Sequence, residues 1–284
     1  MFAEMKNHQL HSKSTLPIDE GSIRFLDAKE LEFGAKFNEL SGIEYKAGKL
    51  YGVSDKGYLF YMSIDIKDKK IKALSLDKTI KLKSKKKKEK LDTEGIIFRD
   101  DFFYISFERD PKVQKYSLNG KELKTQKIDK ELKKIKNYQD LNKGLEAIAY
   151  SKKYGIITAP EVPLKNKTSF MHALYSKDKT WYFPYKAPLS SMAFMSKHKL
   201  LLIQRDYNKK TFNSKVYLTR VNLKNCIYGV CNSEILATLK TKDGWSIENF
   251  EGLAKVDKKT FLMISDNNNN PKQKTLLVLF EVLD

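Results

Sequence analysis

A short motif that returns five times constrains the fold of this chain more than any other feature. Each copy has Glu or Ser first, then a small residue, then an apolar one. The copies are Ser41-Gly42-Ile43, Glu94-Gly95-Ile96, Glu146-Ala147-Ile148, Ser190-Ser191-Met192 and Glu251-Gly252-Leu253. Consecutive copies begin 44 to 61 positions apart. This interval is typical of a four-stranded β-propeller blade with loops of variable length, so the repeat predicts a propeller.

An acidic residue follows each motif at a nearly constant distance. A second strand-like run comes after each copy, and the acid that ends it lies 14 to 16 residues beyond the first motif residue. These acids are Asp55, Glu108, Glu161, Asp206 and Asp266. In a blade the innermost strand lines the channel and the second strand runs back beside it. The start of the first strand and the end of the second should therefore meet on one face of the propeller.

The remaining apolar runs predict the outer strands of each blade. Third strands are predicted at 58–66, 112–118, 169–175, 215–223 and 275–283. Fourth strands are predicted at 70–76, 179–185 and 233–239, whereas residues 121–140 could form an outer strand or a short amphipathic helix. The last blade has only three strands, and residues 22–31 can supply its fourth. This pairing would join the two chain ends and remove an open edge.

We therefore predict an all-β fold, a β-propeller of five blades whose ring is closed by an N-terminal strand. The wide interval before the last motif leaves room for a sixth blade, and a two-sheet sandwich is the rival architecture. Residues 22–284 are predicted to form this single domain. Residues 1–21 hold no apolar signal-peptide core, so we expect them to be a tail that remains after removal of a signal peptide.

The chain is strongly basic, with 54 Lys and Arg against 35 Asp and Glu and a formal net charge of +19. Such an excess attracts phosphorylated ligands, nucleic acids and anionic membranes. Its densest stretch, residues 81–90, lies between two strand-like runs, where a solvated loop is the simplest interpretation. No nucleic-acid-binding motif accompanies the charge, so we expect no specific binding of nucleic acid. No apolar run is long enough to predict a transmembrane segment.

The two cysteines, Cys226 and Cys231, are close enough in the chain to close a small loop as a disulfide in an oxidising compartment. Two buried free thiols are the alternative.

The predicted architecture gathers carboxylates at one mouth of the channel. Glu94, Glu146 and Glu251 should ring the mouth, and the five acids that end the second strands should lie just outside them. Carboxylates packed this closely must take up protons, pair with cations or bind a metal. Oxygen ligands without His or Cys favour Ca²⁺. The candidate metal ligands are Glu94, Glu146, Glu251, Asp55 and Asp266.

Other residues beside this mouth are candidates for binding a small anionic or phosphorylated ligand. Arg109 and Arg205 each adjoin an acid and could neutralise it or bind a phosphate or carboxylate. The run from Asn267 to Asn270 could add carbonyl oxygens or form a polar turn. The candidate ligand-binding residues are Glu108, Arg109, Glu161, Arg205, Asp206 and Asn267. If an ester is hydrolysed here, with a metal-bound water as nucleophile, Glu146 and Glu251 are the candidate catalytic bases.

Two common catalytic devices are missing from the sequence. It contains no Gly-x-Ser-x-Gly elbow, and its four histidines, His8, His11, His172 and His198, lie away from the motifs. It contains no glycine-rich phosphate loop either.

Several segments together resemble the phytase-like family, also described as "esterase-like activity of phytase". They are residues 37–57, 91–98, 106–121, 142–164, 200–206 and 249–270, including Ser-Gly-Ile, Asp-x-Glu-Gly, Gly-Leu-Glu-Ala and Phe-Glu-Gly-Leu with Ser-Asp-Asn-Asn. The resemblance implies a bacterial propeller exported to the periplasm or secreted, with activity on phosphate or carboxylic esters. The sequence departs from the family pattern at Ser190, where an acid is absent, and at Lys56.

Three functions remain open from the sequence. The first is a Ca²⁺-assisted hydrolase of anionic esters, and the second is a non-enzymatic propeller that binds a ligand or a protein. The third is binding of polyanions through the lysine-rich rim, with affinity that falls steeply with salt. We expect a monomer.

Overall fold

The computed structural model describes residues 3–32, 37, 39–85, 91–165, 167–208, 210–211 and 213–283. Apart from two 3₁₀ turns, at Ile135–Asn137 and Thr241–Asp243, the regular structure in these ranges is β-strand. The predicted charged loop at 81–90 is described only as far as Lys85, and its remainder lies outside these ranges. None of the helical segments in the described ranges is long and apolar enough to cross a membrane.

The described residues form five antiparallel sheets, which confirms the predicted five-bladed propeller; neither a sixth blade nor a sandwich is formed. Blade 1 comprises β4 (Leu40–Lys46), β5 (Lys49–Ser54), β6 (Tyr58–Lys67) and β7 (Lys70–Lys81). Blade 2 comprises β8 (Thr93–Arg99), β9 (Phe102–Phe107), β10 (Lys112–Tyr116) and β11 (Glu122–Thr125). Blade 3 comprises β12 (Leu145–Ser151), β13 (Gly155–Pro160), β14 (Met171–Tyr175) and β15 (Thr180–Pro184).

Blade 4 comprises β16 (Leu189–Phe194), β17 (Lys199–Asn208), β18 (Asn213–Asn222) and β19 (Ser233–Lys240). Long strands and the loop between β18 and β19 fill the wide interval before the last motif, so no further blade is needed there. Blade 5 begins with β20 (Asn249–Lys255), β21 (Thr260–Asp266) and β22 (Leu276–Val282). Residues 121–140 were predicted to form an outer strand or a short amphipathic helix. They supply the outer strand β11.

The N-terminal strand closes the ring, as predicted. β3 (Ile23–Glu32) pairs antiparallel with β22, from Ile23 opposite Val282 to Glu30 opposite Leu276. Residues 1–21, predicted as a tail, carry two more strands, β1 (Glu4–Asn7) and β2 (Ile18–Glu20), which both pair with β3. Leu10 between them is buried against blades 4 and 5.

The hydrophobic core is divided into five clusters, one between each pair of neighbouring blades. This division follows from the alternation of side chains along a strand, which gives every blade two apolar faces. In β21, for example, Phe261 and Met263 pack toward blade 4, whereas Leu262 and Ile264 pack toward blade 1. Each blade therefore depends on both neighbours, and the ring stabilises the mouth where the inner strands begin.

Candidate functional site

A β-bulge lies at the start of every inner strand and explains the repeated motif. In blade 1, Leu40 pairs with Ser54 and Gly42 with Val53, so Ser41 has no partner on β5. The ladder shifts at the same place in the other blades, at Glu146, Ser190 and Glu251 and, in blade 2, at Glu94 together with Gly95. A bulge leaves one residue out of the ladder and re-aims its side chain. The first motif residue is therefore the one that each blade presents at the mouth.

The small second residue of the motif is required by close packing between inner strands. A Cβ atom on Gly42 would lie 2.4 Å from the backbone oxygen of Glu94 in the next blade. Contacts this short do not occur in folded proteins, so the narrow ring of inner strands admits only a glycine here.

Acids from four blades meet at this mouth, as the sequence predicted. Glu94 is 7% exposed, and the negative charges of Glu146, Asp55 and Glu251 all act on it. The negative charges of Glu161, Glu251 and Glu108 act in turn on Glu146. We call the following set of residues the acidic mouth: Asp55, Glu94, Glu108, Glu146, Glu161, Glu251 and Asp266.

Burial and mutual repulsion raise the pKa values of these carboxyl groups. Burial is the larger cause for Glu94, Glu146 and Glu251, whose pKa values are all well above the usual range. Burial also raises the pKa of Asp55 to about 6. The same cause brings Asp266 to a pKa of about 7 and Glu108 to a pKa of about 8. These acids therefore either keep protons near neutral pH or need a cation to ionise.

Asp92, which the sequence analysis did not single out, completes a compact group of three carboxylates. One oxygen from each of Asp92, Glu94 and Glu108 lies within 4.8 Å of the others. Burial raises the pKa of Asp92, and its carboxylate also contacts that of Glu108. Three oxygen donors with raised pKa values suit a hard divalent cation such as Ca²⁺. Since side chains two residues apart share a face of an extended chain, Asp92 could have been found from Glu94.

In blades 1 and 5, too, a polar residue lies two positions before the first residue of the motif. Glu39 precedes Ser41 by two positions and forms an ion pair with Lys56, the residue at which the sequence departs from the family pattern. Asn249 precedes Glu251 by two positions and donates a hydrogen bond to its carboxylate.

Blade 4 places an arginine where the other blades place an acid. In each blade one pair joins the inner and second strands just before the bulge, and in blade 4 it is Leu189 with Gln204. The next residue is Asp55, Glu108, Glu161 or Asp266 in the other blades, and it is Arg205 here. Asp206, which the spacing groups with these acids, is one residue further along. It is exposed and lies 4.0 Å from Lys215, because a shift of one residue turns a strand side chain to the other face.

Arg205 reaches the neighbouring blade from this position. Its Nη2 atom lies 3.6 Å from Oε1 of Glu251. Ser190, the bulged residue of the same blade, donates a hydrogen bond of 2.8 Å to the carbonyl of Phe250. Blade 4 therefore contributes a cation and a structural hydroxyl to the mouth instead of two acids.

The remaining predicted residues are Arg109 and Asn267 at the edge of the mouth and Glu161 in the mouth itself. The Nε atom of Arg109 is 2.8 Å from Asp92 and 3.1 Å from the side chain of Asn142. Glu161 accepts a hydrogen bond of 2.8 Å from Lys143. Asn267 lies in a polar turn, where its side chain accepts a bond of 3.1 Å from the backbone of Asn269.

The histidine in blade 3 packs in the interior of its blade. His172 is buried, its Nε2 atom lies 3.1 Å from the carbonyl of Glu161, and burial lowers its pKa to about 4.

A pocket of about 460 Å³ opens beside the acidic mouth between blades 4 and 5. The residues that line it include Arg205, Glu251, Asn249, Tyr207, Asn268 and Gln273. The pocket gives a small molecule access to a guanidinium and to a carboxylate of raised pKa at the same time. We call it the blade 4–5 pocket.

Cys226 and Cys231 form a disulfide, with an S–S distance of 2.05 Å, which confirms the predicted pairing. They close the loop between β18 and β19, which lies on the face opposite the acidic mouth.

Comparison with known proteins gives one family. The phytase-like family model, described as "Esterase-like activity of phytase", matches residues 35–269. No curated protein matches the chain.

Similar solved structures include a PQQ-bound aldose sugar dehydrogenase from Streptomyces coelicolor, with 12% identity over 93% of this chain and 99% of that one and a TM-score of 0.48. A glucose dehydrogenase-type oxidoreductase from Thermus thermophilus is 10% identical over 97% of this chain and 99% of that one, with a TM-score of 0.42. Sqt1 of Saccharomyces cerevisiae is 10% identical over 94% and 80% of the two chains, with a TM-score of 0.42. Scores this low assign no activity to this chain.

Proposed function

The chain belongs to the phytase-like family, and from that premise we propose that it hydrolyses phosphate or other anionic esters at the acidic mouth. The observation that carries the proposal is the contact between Arg205 and Glu251 at the wall of the blade 4–5 pocket. It sets an anion-binding group beside a carboxylate that can move a proton. The disulfide is typical of an oxidising compartment, and we propose that the protein works in the periplasm or outside the cell.

Arg205 binds the anionic group of the substrate in this proposal. A guanidinium offers several N–H donors in a fixed plane, which suits the oxygens of a phosphate or carboxylate. The side chain of Arg205 is 28% exposed on the pocket side while it stays near Glu251. The net charge of +19 adds a long-range attraction for such substrates.

Asp92, Glu94 and Glu108 fit a Ca²⁺ ion because they offer oxygen donors only and their pKa values are raised by burial. When bound, the ion would supply positive charge that stabilises the developing negative charge on the ester. It would also keep these three carboxyl groups ionised at neutral pH.

Glu146 and Glu251 divide the proton transfers. Arg205 opposes the rise in pKa of both groups, but its influence on Glu251 is second only to burial, whereas at Glu146 the charges of three acids all act more strongly than it does. Glu251 therefore loses its proton first and takes a proton from the attacking water. Glu146 keeps its proton longer and donates it to the leaving alcohol as the ester bond breaks. Two carboxyl groups whose surroundings separate their pKa values are typical of acid and base pairs in hydrolases.

The test is hydrolysis of an aryl phosphate and an aryl acetate, with Ca²⁺ or with a chelator. We expect turnover that needs Ca²⁺, that falls by about a hundredfold or more in Glu251→Gln and Glu146→Gln, and that persists in Asp206→Asn. The last variant removes an acid of the same repeat that lies outside the mouth. Absence of turnover with both substrates in every condition would overturn the proposal and leave a propeller that binds without catalysis.

A further inference from the structure

The disulfide loop between β18 and β19 presents three apolar side chains to solvent. Ile227 is 73% exposed, Tyr228 is 100% exposed and Val230 is 46% exposed. The loop that carries them is firmly held. Besides the disulfide, the backbone of Cys231 donates a hydrogen bond of 2.7 Å to Tyr182, which in turn donates one of 2.8 Å to Gly229. The apolar tip is therefore a fixed feature of the surface.

Lysines flank this tip on both sides. The hairpin of blade 3 at residues 176–179 carries exposed Lys177 and Lys179. It lies beside the loop, since a Cβ on Gly229 would be 3.5 Å from the carbonyl of Thr180. Asp178 is the acid of this hairpin, 3.4 Å from Lys177.

On the other side, the backbone of Leu223 at the start of the loop donates a hydrogen bond of 2.8 Å to the carbonyl of His198 in the hairpin of blade 4. Lys153, Lys197 and Lys224 all act on the ring of His198, whose pKa is lowered by desolvation first and then by these three charges.

We propose that this loop docks the propeller onto an anionic lipid surface. Ile227, Tyr228 and Val230 enter the interfacial layer, where tyrosine and aliphatic side chains are favoured, and the surrounding lysines contact lipid phosphates. A lipid surface fits better than a protein because three side chains cannot bury the roughly 800 Å² that each partner contributes to a stable protein interface. A continuous anionic surface also satisfies all the lysines at once. Docking by this face leaves the acidic mouth directed away from the lipid.

The experiment measures cosedimentation of the purified full chain with vesicles of phosphatidylcholine, with or without phosphatidylglycerol. We expect binding only when phosphatidylglycerol is present. The double variants Ile227→Ser with Tyr228→Ser and Lys177→Glu with Lys179→Glu should each weaken binding by about tenfold or more. Phe170→Ser and Lys242→Glu with Lys272→Glu are the matched controls. They change a side chain that is 81% exposed and two exposed lysines on the side of the acidic mouth, and we expect them to bind as the wild type does.

A second measurement keeps the test independent of folding defects in the variants. Trp181 and Trp245 are buried, so a tryptophan introduced by Tyr228→Trp reports the polarity at the tip. Its emission should shift to the blue on vesicles that contain phosphatidylglycerol and stay unchanged on phosphatidylcholine alone. Absence of wild-type binding to the anionic vesicles, or equal losses in the controls, would overturn the proposal. Neither readout depends on hydrolysis.

Discussion

The guanidinium of Arg205 lies 3.6 Å from the carboxylate of Glu251 across the boundary between blades 4 and 5. This contact breaks the symmetry of the acidic mouth, because the other four blades supply an acid at the position of Arg205. A substrate with a negative charge meets a guanidinium at this side of the mouth, at the position where the other blades present a carboxylate.

Loss of the positive charge at residue 205 should shift the pH dependence of hydrolysis. Since Arg205 holds down the pKa of Glu251, Arg205→Gln should move the acidic limb of the rate profile to higher pH. It should also lower kcat/KM for an aryl phosphate by about a hundredfold. Profiles measured from about pH 5 to about pH 9 check this shift. Arg24→Gln, which breaks the exposed pair with Asp19, should leave the profile unchanged; equal profiles for both variants would contradict the role given to Arg205.

Stability without divalent cations should fall as the pH rises. The folded-state pKa values of Asp55, Asp266 and Glu108, about 6, about 7 and about 8, lie above their ordinary values. Their contribution is complete below about pH 4 and is lost progressively up to about pH 8. In chelator at pH 8, Glu108→Gln should therefore be more stable than the wild type, by about 1–2 kcal/mol after solvent screening. Thermal melts across this range measure the effect, and a wild-type Tm that rises with pH would contradict it.

Calcium should reverse this loss through Asp92, Glu94 and Glu108. An ion bound only by the folded state raises the apparent Tm as its concentration increases. We expect a higher Tm for the wild type at millimolar Ca²⁺ and at most a small change for Asp92→Asn. Asp206→Asn should respond as the wild type does. If Asp92→Asn kept the full response, the ion would have to be held elsewhere.

A methyl group at residue 42 should disrupt the ring of inner strands. Gly42→Ala would place its Cβ 2.4 Å from the carbonyl of Glu94, and the cost is about 3 kcal/mol in unfolding free energy. Gly155→Ala is the comparison, because nothing lies within 4 Å of its Cβ and only its positive φ of 71° opposes the change, at about 1 kcal/mol. Urea unfolding of both variants measures these two costs. A loss of unfolding free energy in Gly42→Ala that is equal to or smaller than that in Gly155→Ala would contradict the packing argument.

The blade count, the closing strand and most of the acidic mouth could be predicted from the sequence because they follow from repetition. That Arg205, and not Asp206, occupies the corresponding position in blade 4 could not be predicted from the sequence. Spacing alone places Asp206 in the set, and only the pairing of Leu189 with Gln204 shows which residue follows the bulge. Asp92 could have been predicted from its position two residues before Glu94. The contacts of Arg205 and Arg109 needed the structure, since they depend on neighbouring blades and loops.

The pairing of β3 with β22 also determines when the sheet of blade 5 can be completed during folding. Blades 1 to 4 are each made from continuous stretches of chain, whereas the sheet of blade 5 joins residues separated by most of the polypeptide. Contacts between such distant residues form late, because the whole loop must first be closed. During synthesis or export, β3 can pair with β1 and β2, but its edge for β22 stays open until the C-terminal strand arrives. We therefore expect that the N-terminal end of the nascent chain is the part that needs a chaperone for longest to prevent aggregation.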